Sequence, residues 1–323
     1  ELIALVGEDE DEMTINKIQF DDYLAAIKPQ QKQTRDDTAK VGVIVAKGII
    51  LDGVQPAGKI GGDTLTDLIR QARLDDEVKA LVLQIVSPGG SALASELIRR
   101  ELELTRQSGK PVIASMSSIA ASGGYWIASP ADEIWAAPTT ITGSIGIYSA
   151  FATLEKSLDY LGIHNDGVGT TRVADAFDTA RPLNPIIADS MEQVIQHNYR
   201  RFIKTVSEGR NLTLQDVEKI AQGRVWSGKT AKELGLVDQF GNLQDAVQSA
   251  ANMVNLKDYD VIYIEQPQTA REKLIKQLNH FLAGIANNTL GSVAHPAVRF
   301  FKKLGPELEA IIELNDPQGV YAY

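Results

Sequence analysis

The sequence contains no cysteine. Disulfides, thiolate catalysis and cysteine-ligated zinc are therefore excluded. The redox compartment stays open, since a cysteine-free chain tolerates any. Histidine is scarce: the 4 are His164, His197, His280 and His295, and none stands in a recognisable motif. A Ser-His-Asp triad thus has no support, although chain order alone does not exclude one. No His/Asp/Glu cluster has metal-ligand spacing, and no cofactor is expected. Basic residues are outnumbered, 32 Lys and Arg against 42 Asp and Glu, for a net charge of -10. Without a basic face, nucleic acid is not an expected partner. There is no signal-peptide pattern, and no apolar run of the roughly eighteen residues a membrane helix needs. The chain opens at Glu1 rather than Met, which reads as part of something longer.

What is present is enough for a sizeable core, with 44% of residues hydrophobic. Residues 1–39 are polar and mixed. Their acidic run, Glu8 to Glu12, reads as a solvated loop, and Ile18 to Ile27 as a short helix. From Val41 the pattern changes. Val41 to Ala46 is a nearly continuous apolar run, the mark of a strand buried on both faces. Asp63 is placed to cap a helix through Leu65, Leu68, Ile69 and Ala72. Val78 to Val86 forms a second strand, Ser91 caps a helix to about Gln107, and Pro111 to Met116 forms a third strand. Ala120 to Ala128 reads as a helix and Glu133 to Ala136 as a strand. Helices follow at Phe151–Leu161, Ile187–Glu208 and Asn242–Met253, with an edge strand at Val261–Ile264. Amphipathic patterns at Leu274–Ile285 and Val298–Ile312 predict helices in the tail. Alternation of strand and helix argues for an α/β fold with parallel β-α units.

Two loops carry candidate chemistry. Gly89-Gly90 follows a buried strand and precedes a helix, a place where backbone N–H groups are free to hold a negative oxygen. Ser122-Gly123-Gly124 has the same design, with a serine at the positive end of a helix dipole. Together they offer a nucleophile and donors for a developing oxyanion. The residues equally allow tight turns and a plain helix cap. Gly61-Gly62-Asp63 and Gly143-Ser144-Ile145-Gly146 match no phosphate loop.

Three motifs, Ser87-Pro88-Gly89-Gly90-Ser91, Ala121-Ser122-Gly123-Gly124-Tyr125 and Thr142-Gly143-Ser144-Ile145-Gly146, resemble in order and spacing those of the signal peptide peptidase A (protease IV) family. The likeness covers roughly residues 40–255 and is nearest to the second half of the long, two-half bacterial form, an end that Asn315-Asp316-Pro317-Gln318 also resembles. It implies a Clp protease/crotonase-like fold of stacked β-β-α units over 40–255, after a linker at 1–39 and before a helical extension with an edge strand at 256–323. It implies that Ser122 is the nucleophile, that Gly89, Gly90 and Gly123 form the oxyanion hole, and that Ser144 orients a lysine base. The position of that lysine in short members matches Arg172 here. Arginine stays protonated and cannot act as base. The resemblance therefore places the lysine in an N-terminal half absent from this chain; Lys156, nearby on the helix read at Phe151–Leu161, is an alternative that matches nothing in the family. It further implies peptide substrates (released signal peptides and other hydrophobic peptides), a homo-oligomer, and the periplasmic face of a bacterial inner membrane, reached through a segment not in this chain. A crotonase-like acyl-CoA enzyme and a non-catalytic scaffold half are the competing readings.

Overall fold

The apolar run at Val41 folds as strand β1 (Lys40–Lys47), and its residues serve two cores. In the computed structural model, which describes residues 38–56, 58–266 and 321–322, Ile44 and Ala46 face one layer while Val41 and Val43 face the other. This period-two division of an apolar run is what a parallel strand covered on both sides requires. Strands β4 (Val78–Ser87), β6 (Val112–Ala121), β7 (Glu133–Ala136), β10 (Gln239–Phe240) and β11 (Asp260–Tyr263) complete the main path, in the order β10-β7-β6-β4-β1-β11. Every pair along it is parallel. The expected edge strand is thus β11, lying beside β1.

Short strands β2 (Ile50–Leu51), β3 (Ile60–Gly61) and β5 (Gly90–Ser91) form a second, small sheet. β1 and β2 lead to helix α1 (Gly62–Leu74); β4 and β5 lead to helix α2 (Ala92–Gln107). Two successive β-β-α units are therefore stacked side by side, as expected. Both helices cover one face, with α3 (Gly123–Ala128) and α5 (Pro185–Arg210), through Leu65, Ile69, Ile98, Leu102, Trp126 and Phe202. Helix α8 (Leu243–Met253) covers part of the other, setting Ala246, Val247, Ala250 and Ala251 on Val41, Val43, Ala80 and Val82. Helices α4 (Glu155–Tyr160), α6 (Leu214–Ile220) and α7 (Gly228–Glu233) are short.

The local differences from the sequence reading have physical causes. Strand β6 does not stop at Met116 but runs to Ala121, because its second half finds a partner in β8 (Ile141–Gly143), itself paired antiparallel with β9 (Val225–Ser227). The next helix accordingly starts at Gly123 rather than Ala120. Asp63 does not cap α1: Gly61 holds the cap position without a side-chain bond, and Asp63 falls in the first turn, where its charge complements the helix dipole. Ser91 does cap α2, its hydroxyl accepting from the Ala94 N–H at 3.1 Å. The helix read at Phe151–Leu161 is confined to Glu155–Tyr160. The short helix at 18–27, the acidic run and the two tail helices lie outside the described residues. No helix among the described residues is long and apolar enough to cross a membrane.

Between Ile147 and Arg201 the chain makes an excursion in which Ala176 is the single buried residue. Where α5 returns to the core, a polar cluster locks it. Glu96 accepts from Arg99 Nε at 2.7 Å, Arg201 Nη2 at 2.8 Å and Trp126 Nε1 at 3.0 Å, and Trp126 stacks on Phe202 with centroids 4.4 Å apart. Burial alone would raise the Glu96 carboxyl, but the arginines and the indole donor outweigh it and hold the group below its ordinary 4.5. A depressed folded value means that the stabilisation is full above the unfolded value and fades as pH falls through the folded one. Glu96→Gln should therefore lower stability at neutral pH by about 2 kcal/mol, less than for a fully dry pair because Arg201 is partly in solvent. Denaturant melts across pH should show the difference between variant and wild type shrinking below about pH 4.

Candidate active site

Strand β6 is paired at both of its ends. On one side it has β4; on the other it has β7 along Ile113–Met116 and then β8 along Ile119–Ala121. Its last residue, Ala121, pairs with Gly143 of β8, and the next residue is Ser122. Ser122 has φ 54° and ψ -116°, a conformation rare for a residue with a side chain. Such backbone costs on the order of 1–3 kcal/mol and persists only where its surroundings enforce it. Here the Ser122 N–H donates to the Gly143 carbonyl at 2.9 Å, and the Ser122 carbonyl accepts from the Trp126 N–H at 2.8 Å. The hydroxyl caps nothing on α3, so the plain helix-cap reading does not hold. Ser122 is fully buried, and its Oγ has no hydrogen-bond partner among the described residues.

The Gly89-Gly90 loop ends β4, the strand next to β6, so both loops stand at the carboxyl ends of adjacent parallel strands. Crevices at those ends are where open α/β sheets bind ligands. Gly89 has φ 117° and Gly90 φ 148°. A Cβ on Gly90 would lie 2.0 Å from the Ile50 carbonyl oxygen, and one on Gly123 would lie 3.2 Å from the Gly90 nitrogen and 2.7 Å from Ser95 Oγ. The loops touch backbone to backbone because these positions are glycines. The Ile50 N–H donates to the Gly89 carbonyl at 2.9 Å, and the Gly89 N–H to Ser87 Oγ at 3.2 Å.

Ser144 is also strained, at φ 49°, and nearly buried. Its N–H donates to the Arg224 carbonyl at 2.7 Å. The register Ala121↔Gly143 makes Ser122 and Ser144 consecutive exits from neighbouring strands, which lie about 4.8 Å apart in sheets. Arg172, by contrast, is exposed on the excursion, where its carbonyl accepts from Asn184 Nδ2 at 2.9 Å. Lys156 is exposed on α4, and His164 faces Asp159 on the surface at 3.5 Å. The structure joins Ser122, Ser144, Gly89, Gly90 and Gly123; it does not bring Arg172, Lys156 or His164 into a hydrogen bond with Ser122.

Two supporting residues escaped the sequence reading. Asp52 accepts from Ser91 Oγ at 2.5 Å, tying the start of α2 to the small sheet. Thr142 is buried and donates to the Ala120 carbonyl at 2.7 Å, bracing the end of β6. The Asp52-Gly53 turn signal after the β2 run was the one available clue to the first.

Comparison with known proteins fits this geometry. Residues 104–257 match the model of Peptidase family S49. Protease 4 of Salmonella typhi is 41% identical over 293 residues, covering 90% of this chain and 47% of that protein. Protease 4 of Haemophilus influenzae is 40% identical over 328 residues, covering 100% of this chain and 52% of that protein. A shorter relative from Synechocystis sp., also named a protease, is 35% identical over 205 residues, of which this chain covers 74%. The chain belongs to peptidase family S49, the signal peptide peptidase A family. Its fold is mixed α/β with a parallel central sheet. It spans about half the length of the two Protease 4 relatives.

The glycine geometry predicts a graded result. Gly90→Ala combines positive φ with a backbone clash and should cost more than about 2 kcal/mol. Gly109→Ala, at φ 89° with nothing within 4 Å of the added carbon, should cost about 1 kcal/mol. Urea melts of the two variants check this; equal losses would contradict the account of the loop.

Proposed function

We propose that this chain is the nucleophile-bearing half of a serine endopeptidase of the Ser/Lys type. The observation that carries the reading is Ser122 itself: a strained residue with a buried, unpartnered hydroxyl, held against a glycine loop at the carboxyl end of a parallel sheet. A serine whose backbone is forced into that position, yet caps no helix, serves chemistry better than folding. Ser122 Oγ attacks the scissile carbonyl, and the oxyanion is received by the backbone loop of Gly89, Gly90 and Gly123. The Gly90 and Gly123 amides are the main donors, while Gly89 holds the turn through Ser87.

Attack requires a base. Arg172 remains protonated and cannot accept the proton. A neutral lysine, desolvated in the closed site, takes it from Ser122 and returns it to the leaving amine. That lysine comes from the N-terminal half of the same polypeptide, with Ser144 orienting it. The half length relative to the Protease 4 relatives supports this division. So does the excursion between Ile147 and Arg201, which exposes Tyr160, Leu161, Val168 and Phe177 without a core to bury them. The other half, or a neighbouring copy in a homo-oligomer, covers them. Substrates are hydrophobic peptides, released signal peptides among them, met at the periplasmic face of a bacterial inner membrane to which a segment outside this chain anchors the enzyme. Membership in a peptidase family leaves the acyl-CoA reading without support.

A fluorophosphonate probe should label Ser122 strongly only when the other half is present, and Ser122→Ala should abolish peptidase activity of the complete polypeptide. No labelling in either state, with activity unchanged in Ser122→Ala, would leave the scaffold reading standing. Arg172→Lys in the isolated chain, at an exposed position away from Ser122, should leave labelling slow; a gain of about tenfold or more would put the base in this chain instead.

A further inference from the structure

Helix α3 begins directly after Ser122, and the Trp126 N–H holds the Ser122 carbonyl at 2.8 Å. A helix of 6 residues has little stability of its own, so what it packs against sets its place. From α2, Glu96 Oε2 accepts the Trp126 indole N–H at 3.0 Å. From α5, Phe202 stacks on the Trp126 ring. Further along α5, a Cβ on Gly209 would lie 2.2 Å from the Ser129 carbonyl oxygen, so the backbone of α5 also bears on the end of α3. Arg201 of α5 joins these elements, its Nη2 donating to Glu96 Oε1 at 2.8 Å. The first part of α5 stands apart from the core: no residue from Pro185 to Arg201 is buried. That arm is about 25 Å long. Ile187, Met191, Ile195 and Tyr199 recur along it at four-residue spacing, half-buried, on the stripe that leads to Phe202.

We infer that Arg201 is a positioning residue for Ser122: through Glu96 and Trp126 it ties the placement of the nucleophile to the placement of α5, and so to the partner that holds the arm. That partner is the other half of the polypeptide. This chain spans about half the length of the two Protease 4 relatives, and the arm continues the excursion whose apolar side chains lack a core. The inference rests on the reading of Ser122 as nucleophile and deepens it: the other half brings a base and also sets the geometry of attack. The bonding around Glu96 separates this role from plain support. Arg99 bonds both carboxylate oxygens, Nε to Oε2 at 2.7 Å and Nη2 to Oε1 at 3.0 Å, so the buried charge stays paired without Arg201. The Arg201 side chain is 47% exposed, and an ion pair so wet adds little stability. What it adds is direction. A cation on Oε1 fixes the rotation of the carboxylate, and the other oxygen is the acceptor that places the indole. A displacement of about 1 Å at the reacting atom can cost on the order of a hundredfold in rate.

Two variants of the complete polypeptide test this. In Arg201→Leu, kcat should fall about tenfold or more while KM stays within about twofold and the thermal midpoint barely moves. Arg201→Lys returns a cation to Glu96 and should recover most of the loss. A second readout is independent of catalysis. The chain holds 3 tryptophans, so protein grown on 5-fluorotryptophan gives few fluorine NMR lines, and Trp126→Phe assigns the relevant one. That line should differ between the isolated chain and the complete polypeptide, and the difference should be lost in Arg201→Leu. An unchanged kcat in Arg201→Leu, with a Trp126 line that responds as in the wild type, would overturn the inference. The expected Trp126 response, with no probe reaction at Ser122 in any form of the protein, would uphold the coupling and sink the catalytic reading instead.

Discussion

Everything at the candidate site depends on the end of one strand. β6 ends on the pairing of Ala121 with Gly143, followed at once by the Ser122 N–H on the Gly143 carbonyl. That pair of constraints forces Ser122 into a backbone conformation that it would not adopt in a free turn. The cost, on the order of 1–3 kcal/mol, is small against the packing of a strand buried in the centre of a sheet. A loosely held turn would relax and turn the hydroxyl back to cap α3.

The rest of the fold keeps this end in place. The Gly89-Gly90 loop can lie against Gly123 because neither side carries a Cβ there. The short helix after Ser122 is pinned twice: Trp126 bonds to Glu96 and stacks on Phe202, and the buried Tyr125 hydroxyl donates to the Leu236 carbonyl at 2.9 Å. Burial drives the Tyr125 phenol well above its ordinary 10.0, so it remains a donor at any ordinary pH. Preorganised donors around a nucleophile are the main source of rate in acyl transfer, since they need no rearrangement when charge develops. In the proposed function the proton acceptor comes from outside this chain, in keeping with the exposed position of Arg172 on the excursion.

Much of this was legible in the sequence. The apolar runs at Val41, Val78 and Pro111 announced parallel strands, because burial on both faces leaves no polar alternation to confuse them. Ser91 before an amphipathic stretch announced a helix start. The three motifs drew together residues that the fold does place together. Other features were not legible because they depend on partners distant in sequence. The length of β6 was hidden until β8 was known to pair with its second half. Ser122 looked like a cap because a serine before Gly-Gly is a good cap in isolation; only the pull of Gly143 removes it from that role. Asp52 acts through a residue about 40 positions away, beyond any local pattern.

The central claim is that Ser122 is a nucleophile facing a ready oxyanion site. A peptide boronate tests it most directly, since boron becomes tetrahedral only on accepting a nucleophile's oxygen and is then held by the oxyanion donors. With the complete polypeptide, boron NMR should show tetrahedral boron, lost in Ser122→Ala and weakened in Gly90→Ala. Trigonal boron throughout, or a tetrahedral signal that survives Ser122→Ala, would contradict the account.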